Sequence, residues 1–128
     1  MSTFDDFQKL YPNLFREYPR SGFSAPTGWI PLLHSLCCVL EYAIGRMPEE
    51  ERAGFQCAQS KEKFAGVRFY MTKQTDYMSG AIAMAEYMSE RICEICGQPG
   101  ECRKDGWWST LCDKHHEERE KKRNTTGK

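Results

Sequence analysis

Four residues in the last third of the chain have the types and spacing of a zinc site. Cys93 and Cys96 form a Cys-x2-Cys pair, and Cys112 and His115 form a Cys-x2-His pair after a gap of fifteen residues. Thiolate sulfur and imidazole nitrogen are the ligands that zinc prefers in tetrahedral protein sites. Four protein ligands leave no position for a catalytic water. The spacing therefore predicts a structural Zn2+ ion.

The residues between the two pairs suit a tight knuckle followed by a hairpin. Gly97 permits the positive φ that brings backbone amides close to the thiolates. The segment Lys104-Asp105-Gly106 predicts an Asp-Gly turn, and Trp107 and Trp108 then predict an aromatic strand. Adjacent strand residues point to opposite faces, so we expect one tryptophan to dock on the helices and the other to stay exposed for a partner.

A helix is expected to carry the second pair of ligands. Ser109 or Thr110 is its candidate N-cap, which would place Cys112 and His115 on one face of the first turn. A knuckle, a hairpin and a helix in this order resemble the treble-clef zinc finger over about the last third of the chain. The resemblance implies a fold for residues 93–128. It implies no particular function, because treble clefs serve many functions.

Other assignments of these residues are open. Cys102 and His116 are alternative ligands beside the four named, and the cysteines are also compatible with a core cluster or a disulfide framework. Treble clefs also underlie the His-Asn-His nucleases, whose histidine lies on the strand before the helix. The corresponding stretch here is Gly106-Trp107-Trp108-Ser109-Thr110, which contains no histidine. We therefore expect no enzymatic activity.

Composition indicates a small cytoplasmic protein with balanced charge. The chain has 128 residues, a formal net charge of zero and seven cysteines, and its first residues lack a signal-peptide pattern. An odd number of cysteines without a secretion signal favours metal binding in a reducing compartment. Balanced charge argues against avid, nonspecific binding to nucleic acid. The longest apolar stretch, residues 29–40, is too short to span a membrane. We therefore expect that the protein does not bind a membrane.

The chain before the first ligand predicts an α+β fold, with helices packed on a β-hairpin. We expect helices at residues 3–11, 29–46 and 75–92, strands at residues 55–63 and 67–72, and an irregular surface loop at residues 12–28 that contains Pro19. Thr27 and Thr75 are candidate N-caps, and the segment from Glu49 to Arg52 is expected to be a solvated turn. Methionines at helical spacing in the third helix are expected to fill the core. The predicted organisation is one domain at residues 1–92 with a treble-clef-like zinc module at residues 93–128 docked on it.

A group of basic residues around the predicted hairpin is a candidate binding surface. Lys61 and Lys63 share one face of the first strand, and Arg68 and Lys73 are assigned to the second strand near Tyr70. Together with Trp107 and Trp108 they offer cations for phosphates and aromatic rings for stacking. The alternative is that they are edge-strand lysines, which discourage aggregation.

Several stretches of the chain resemble a group of small, uncharacterised proteins of tailed phages and prophages. The stretches are GWIPLL from Gly28, KEKFAGVRFY from Lys61, CEICGQPG from Cys93 and GWWSTLC from Gly106. The resemblance spans most of the chain and implies a phage origin, action in the bacterial host cytoplasm and a zinc knuckle. It assigns no catalytic residues.

Three functional hypotheses follow. The first is a non-enzymatic, zinc-stabilised binding protein that blocks or redirects a host complex, for example a defence system such as a CRISPR effector. The second is a nucleic-acid-binding accessory protein that uses the basic hairpin and the aromatic residues. The third is a degenerate zinc-finger nuclease. A homodimer is a further candidate assembly.

Overall fold

Helices and two small β-hairpins follow one another along the chain, which confirms the predicted α+β class. The fold is taken from a computed structural model that describes residues 4–17 and 22–126, with side chains in the last helix as far as residue 123. Its helices within these ranges are α1 (Phe4–Leu10), α2 (Ile30–Gly45), α3 (Glu49–Arg52), α4 (Asp76–Ser89) and α5 (Asp113–Thr126). Strands β1 (Cys57–Lys63) and β2 (Gly66–Met71) form the first antiparallel hairpin, and β3 (Glu101–Arg103) and β4 (Ser109–Leu111) form the second.

The central core element is α2. Its side chains Leu33, Cys37, Leu40 and Ile44 are fully buried. No side chain caps this helix. Residues Thr27–Trp29 instead form a 3₁₀ turn that leads directly into it, so the prediction of Thr27 as its N-cap was wrong.

The sequence indicated residues 29–40 as the longest apolar stretch, which is too short to span a membrane, but the longer stretch Thr27–Gly45 is long and apolar enough to do so when judged by length and composition alone. The core helix of a soluble protein passes the same test, and the buried side chains of α2 pack within the hydrophobic core.

The segment after α1 contributes to the core. Leu14 and Phe15 are buried. The backbone amides of Asn13 and Leu14 each donate a hydrogen bond to the carboxylate of Glu41 on α2. The loop predicted at residues 12–28 therefore supplies core residues as well as irregular surface. Residues 18–21, which include Pro19, lie outside the described ranges.

The first hairpin turns through two residues with left-handed backbones, Phe64 (φ 52°) and Ala65 (φ 70°). Two-residue hairpins favour this geometry because it matches strand twist, but they usually place Asn or Gly there. Val67 and Phe69 are buried on one face of β2, whereas Tyr70 is exposed on the other, as the alternation predicted.

Helix α4 covers this hairpin. The hydroxyl oxygen of Thr75 accepts a hydrogen bond from the Met78 amide at 3.2 Å, which confirms the predicted N-cap. The helix ends at Ser89, three residues before the predicted end. Met78 is fully buried in the core, as predicted for the methionines of this helix, but Met84 and Met88 are 67% and 44% exposed, so the prediction was wrong for these two. The predicted solvated turn at residues 49–52 is the short helix α3, although none of its side chains is buried.

Candidate metal centre

The first two candidate ligands lie on a tight knuckle between α4 and β3. The Gly97 amide donates to the Cys93 carbonyl at 2.9 Å, and the Cys93 amide donates to the Gln98 carbonyl at 2.7 Å. Gly97 has a φ of +83°, as its place after Cys96 predicted. These bonds turn the chain so that Cys93 and Cys96 present their sulfurs to the same point.

The other two ligands lie where β4 passes into α5. Cys112 precedes the helix, and His115 is in its first turn. Ser109 and Thr110 are buried within β4, so the prediction that one of them caps the helix was wrong. Pairing with β3 places both residues in a strand, and this tertiary constraint overrides their capping preference.

The four donor atoms surround one point at distances that suit a tetrahedral ion. The Sγ atoms of Cys96 and Cys112 are 3.8 Å apart, and His115 Nδ1 is 3.6 Å from Cys93 Sγ and 3.2 Å from Cys112 Sγ. All four atoms lie within 4.8 Å of one another. Zinc–ligand bonds of about 2.3 Å to sulfur and 2.0–2.1 Å to nitrogen require edges of about 3.8 Å and 3.5 Å in a tetrahedron. The arrangement can therefore hold a metal ion, and its donor set is one that zinc prefers.

The same distances exclude a disulfide between Cys96 and Cys112, because a disulfide needs about 2.05 Å between the sulfurs. None of the seven cysteines forms a disulfide in the structure.

Backbone amides stabilise the thiolate of Cys93. Burial of this residue opposes its ionisation, but hydrogen bonds involving the backbones of Cys112, Cys96 and Ile95 outweigh that effect and lower the pKa of the Cys93 thiol to about 6. A thiolate is the form that binds metal. The local fold thus prepares the most buried of the four ligands for coordination.

The two alternative ligands do not join the cluster. Cys102, on β3, is not among the donors that gather around this point. His116 Nε2 lies 3.2 Å from a carboxylate oxygen of Asp105 and 3.4 Å from one of Glu120. Its ring therefore belongs to a separate polar group on α5.

That polar group holds the loop between β3 and β4 against α5. Asp105, His116 and Glu120 place three possible metal donors close together. However, Arg119 Nη2 lies 3.2 Å from Asp105, and Arg123 Nη1 lies 3.5 Å from Glu120. These guanidinium groups already neutralise the carboxylates, so the group acts as an ion-pair network. No local sequence pattern predicted this network, because it joins α5 to the loop between β3 and β4.

Glu94 joins the knuckle to its neighbours. Its carboxylate accepts a hydrogen bond from the Thr110 amide at 3.1 Å, and its carbonyl accepts one from the Gly28 amide at 2.8 Å. Burial raises the pKa of the Glu94 carboxyl, and the bond from Thr110 partly offsets this. The residue therefore connects β4 and the turn before α2 to the knuckle that carries the first two candidate ligands.

Trp107 and Trp108 lie in the loop before β4, although the sequence predicted that they would lie in a strand. Trp107 is 77% exposed, and its carbonyl accepts a hydrogen bond from Arg119 at 3.0 Å. Trp108 makes an edge-on contact with Phe64, with ring centroids 5.9 Å apart. It packs on the tip of the first hairpin, whereas the sequence predicted that one tryptophan would dock on the helices.

These rings form an open cleft between the tips of the two hairpins, which we call the aromatic cleft. Its volume is about 300 Å³, and its lining residues are Glu62, Lys63, Phe64, Gly106, Trp107 and Trp108. Lys63 Nζ lies 5.7 Å from the centre of the Phe64 ring, and Lys104 Nζ lies 4.9 Å from the centre of the Trp108 ring. The cleft thus combines apolar walls with two flanking cations. The sequence indicated the tryptophans but gave no sign that Phe64 would join them.

The predicted basic residues are only partly brought together. Lys61 lies directly opposite Arg68 in the β1–β2 register, and Gln59 lies opposite Tyr70, so these side chains share the outer face with Lys63. Lys73 lies beyond the end of β2, and its Nζ atom is 5.3 Å from the Phe55 ring. The strand face therefore includes Lys61, Lys63, Arg68 and Tyr70 but not Lys73.

No protein-family model matches this chain, and neither a search of curated proteins nor a search of solved structures finds a match.

Proposed function

We propose that this chain is a non-enzymatic binding protein whose C-terminal segment is stabilised by Zn2+. Cys93, Cys96, Cys112 and His115 fill four tetrahedral positions, so zinc bound there has no open position for a substrate. A knuckle, a hairpin and a helix that begins beside the last two ligands are also the parts of a treble-clef finger, and we assign residues 93–128 to that type. Zinc here takes the place of a core that this segment is too small to build.

The aromatic cleft is the proposed binding surface, and the exposure of Trp107 is the observation that carries this assignment. A tryptophan that is 77% exposed leaves a large apolar area in water, and tryptophan is enriched among residues that dominate interface energetics. Hydrogen bonds from Arg119 to the Trp107 carbonyl and from Arg123 to the Asp105 carbonyl fix the loop that carries the ring. A loop whose backbone is already held in place loses little further conformational entropy when it binds a partner.

The proposed partner is a protein complex of a bacterial host. The support is the resemblance of four sequence stretches to small phage and prophage proteins, which implies action in the host cytoplasm. A small phage protein with a closed metal site and an exposed aromatic cleft acts by covering a surface of its target. A host defence complex, such as a CRISPR effector, is the kind of target we propose.

Single-stranded nucleic acid is the second candidate partner, and the cations beside the cleft favour it. Lys63 and Lys104 flank the aromatic rings, and Lys61 and Arg68 extend the positive charge along the first hairpin. Bases stack on aromatic side chains while lysine and arginine contact the phosphates. Glu62 is the acidic residue that lines this cleft.

The test of the binding proposal compares three variants as bait in bacterial lysate. Trp107→Ala and Phe64→Asn each remove one wall of the cleft. Asn tolerates the left-handed backbone of residue 64, so this change leaves the turn intact. Leu10→Ala is the matched control, because Leu10 is 60% exposed on α1. We expect a stoichiometric partner with the wild type and with Leu10→Ala, and its loss with the two cleft variants. Recovery of the same partner by all four proteins would contradict the assignment.

The nucleic-acid alternative is tested by titrating a single-stranded oligonucleotide while tryptophan fluorescence is recorded. Binding through phosphates requires that the logarithm of affinity falls linearly with the logarithm of salt concentration, and that Lys63→Ala reduces the slope. Absence of binding at low salt removes this alternative. Digestion assays with added Mg2+, Mn2+ and Zn2+ test the nuclease hypothesis, and we expect intact plasmid.

A further inference from the structure

Two lysines border the aromatic cleft, one from each hairpin. Lys63 Nζ lies 5.7 Å from the centre of the Phe64 ring, and Lys104 Nζ lies 4.9 Å from the centre of the Trp108 ring. In the part of the chain that the structure describes, neither lysine forms an ion pair with a carboxylate. Both ammonium groups are therefore available to a ligand of the cleft.

The two carboxylates that follow or precede these lysines in the chain have partners of their own. Glu62 Oε2 accepts a hydrogen bond from the Ala65 amide at 3.0 Å, within the turn of the first hairpin. Asp105 lies 3.2 Å from Arg119 and 3.9 Å from Arg123. Because the carboxylates are engaged and the lysines are not, the cleft attracts an anionic ligand more strongly than a cationic one. A cationic ligand would also compete with the two lysines for the faces of the rings.

The walls of the cleft suit a rounded apolar side chain better than a flat nucleic-acid base. The Phe64 and Trp108 rings are inclined at 65° to each other, so a base that stacks on one ring cannot stack on the other. Lys63 and Lys104 also cover one face of each ring. A base carries polar edges that need hydrogen-bond partners, and the side chains of these apolar walls offer none apart from an indole N–H. An aliphatic or phenyl side chain has no such requirement.

We propose that the aromatic cleft binds an acidic peptide segment of the partner. One large apolar side chain of that segment enters the cleft, and carboxylates on either side of it pair with Lys63 and Lys104. The inference rests on the proposed function, because it names the chemistry of the partner that the cleft binds. The cleft volume of about 300 Å³ is at the lower end of the range for ligand pockets, about 300–1,000 Å³, so it admits one side chain. The apolar anchor excludes water from Trp107, and the two ion pairs set the orientation of the segment.

Nuclear magnetic resonance of the three indole N–H groups tests this inference on the full chain. Trp107 and Trp108 line the cleft, and Trp29 is fully buried and acts as an internal control. The probes are three end-blocked peptides, Glu-Asp-Phe-Asp-Glu, Lys-Lys-Phe-Lys-Lys and Glu-Asp-Ala-Asp-Glu, and a short oligothymidylate. We expect the acidic phenylalanine peptide to shift the signals of Trp107 and Trp108 and to leave that of Trp29 unchanged. The other probes should bind more weakly.

Substitution of the lysines tests the charge pairing. Lys63→Gln and Lys104→Gln each remove one proposed ion pair, and each should weaken binding of the acidic phenylalanine peptide by up to about fivefold. Lys9→Gln is the matched control, because Lys9 is exposed on α1 and does not line the cleft. It should bind this peptide as the wild type does. Added salt should weaken binding by the wild type more than binding by a protein with both cleft lysines replaced.

The possible outcomes separate this inference from the proposed function. Equal or tighter binding of the basic peptide would overturn the acidic segment and leave the cleft as a binding surface. Equal binding of the alanine peptide would overturn the apolar anchor. Indole shifts caused by the oligothymidylate and by none of the peptides would overturn the inference in favour of nucleic acid. If no probe shifts Trp107 or Trp108 at millimolar concentration, the inference is wrong, and the bait experiment with Trp107→Ala and Phe64→Asn still decides the proposed function.

Discussion

Gly28 lies directly against the backbone of Cys93. A Cβ atom at residue 28 would overlap the Cys93 carbonyl oxygen and would lie 2.7 Å from the Gly97 nitrogen. The Gly28 amide also donates to the Glu94 carbonyl at 2.8 Å. The turn before α2 and the knuckle that carries Cys93 and Cys96 thus meet backbone to backbone, and only glycine permits that approach.

Gly28→Ala is therefore expected to separate the knuckle from α2. Because the overlapping atoms are backbone, they cannot move aside cheaply, and we expect a loss of about 1–3 kcal/mol in the free energy of unfolding. Urea denaturation measures the loss, and chelator competition should show weaker zinc binding. Gly80→Ala is the control. It lies within α4 with nothing within 4 Å of its Cβ position, and it should stabilise the protein by about 0.5–1 kcal/mol. Equal stability of the two variants would contradict the close contact.

A second contact joins the hairpins. The hydroxyl of Thr110 donates to the carbonyl of Ala65 at 2.6 Å, and both residues are fully buried. Thr110→Val keeps the shape but leaves the carbonyl without this donor, so we expect a cost of about 1–3 kcal/mol. Thr110→Ser keeps the hydroxyl and should retain more stability than Thr110→Val. The opposite order, measured by denaturation, would show that the methyl group matters and the hydrogen bond does not.

Much of the fold was predictable because the sequence patterns that specify it involve residues close together in the chain. The N-cap Thr75 and the ligand spacing of Cys93 and Cys96 depend on residues a few positions apart. The turn at Phe64 and Ala65 lacks the usual Asn-Gly signal, yet the hairpin was predicted from its alternating strands.

The rest depends on contacts between distant segments. Ser109 and Thr110 are residue types that often cap helices, but their pairing with β3 places them in a strand. The aromatic cleft needs Phe64 from one hairpin and Trp108 from the other, and no local pattern links them. The exposure of Met84 follows from which face of α4 meets the hairpin, and the helical spacing of the methionines does not determine that face.

The cysteines outside the metal centre should differ sharply in reactivity. Burial raises the pKa of the Cys57 thiol to about 12, and burial, together with the nearby Cys57, raises the pKa of the Cys37 thiol well above its usual value. Cys38 is exposed on α2. At pH 8 a thiol reagent should therefore modify Cys38 quickly and leave Cys37 and Cys57 unmodified until the protein unfolds. Peptide mapping identifies the modified positions, and rapid modification of Cys37 or Cys57 in the folded protein would contradict their burial.

The same pKa shifts give a direction for alkaline stability. A thiol whose pKa is raised in the folded state stabilises the fold fully below its unfolded pKa of 9.0, and that contribution is lost as the pH rises towards about 12. The free energy of unfolding should thus fall between these pH values. Cys57→Ala should fall less steeply over that range, and identical slopes would show that Cys57 ionises freely in the folded protein.

The metal content of purified protein tests the central claim, which is that Cys93, Cys96, Cys112 and His115 bind one structural Zn2+. Native mass spectrometry, with cobalt substitution to report tetrahedral thiolate coordination, should find one metal ion per chain in the wild type and in Cys102→Ser and His116→Ala. Cys93→Ser and Cys112→Ser should lose the metal together with the second hairpin and α5, since structural zinc contributes roughly 10–16 kcal/mol in finger peptides. Full thermal stability in a metal-free wild type, or a metal retained after Cys93→Ser and lost after Cys102→Ser, would contradict it.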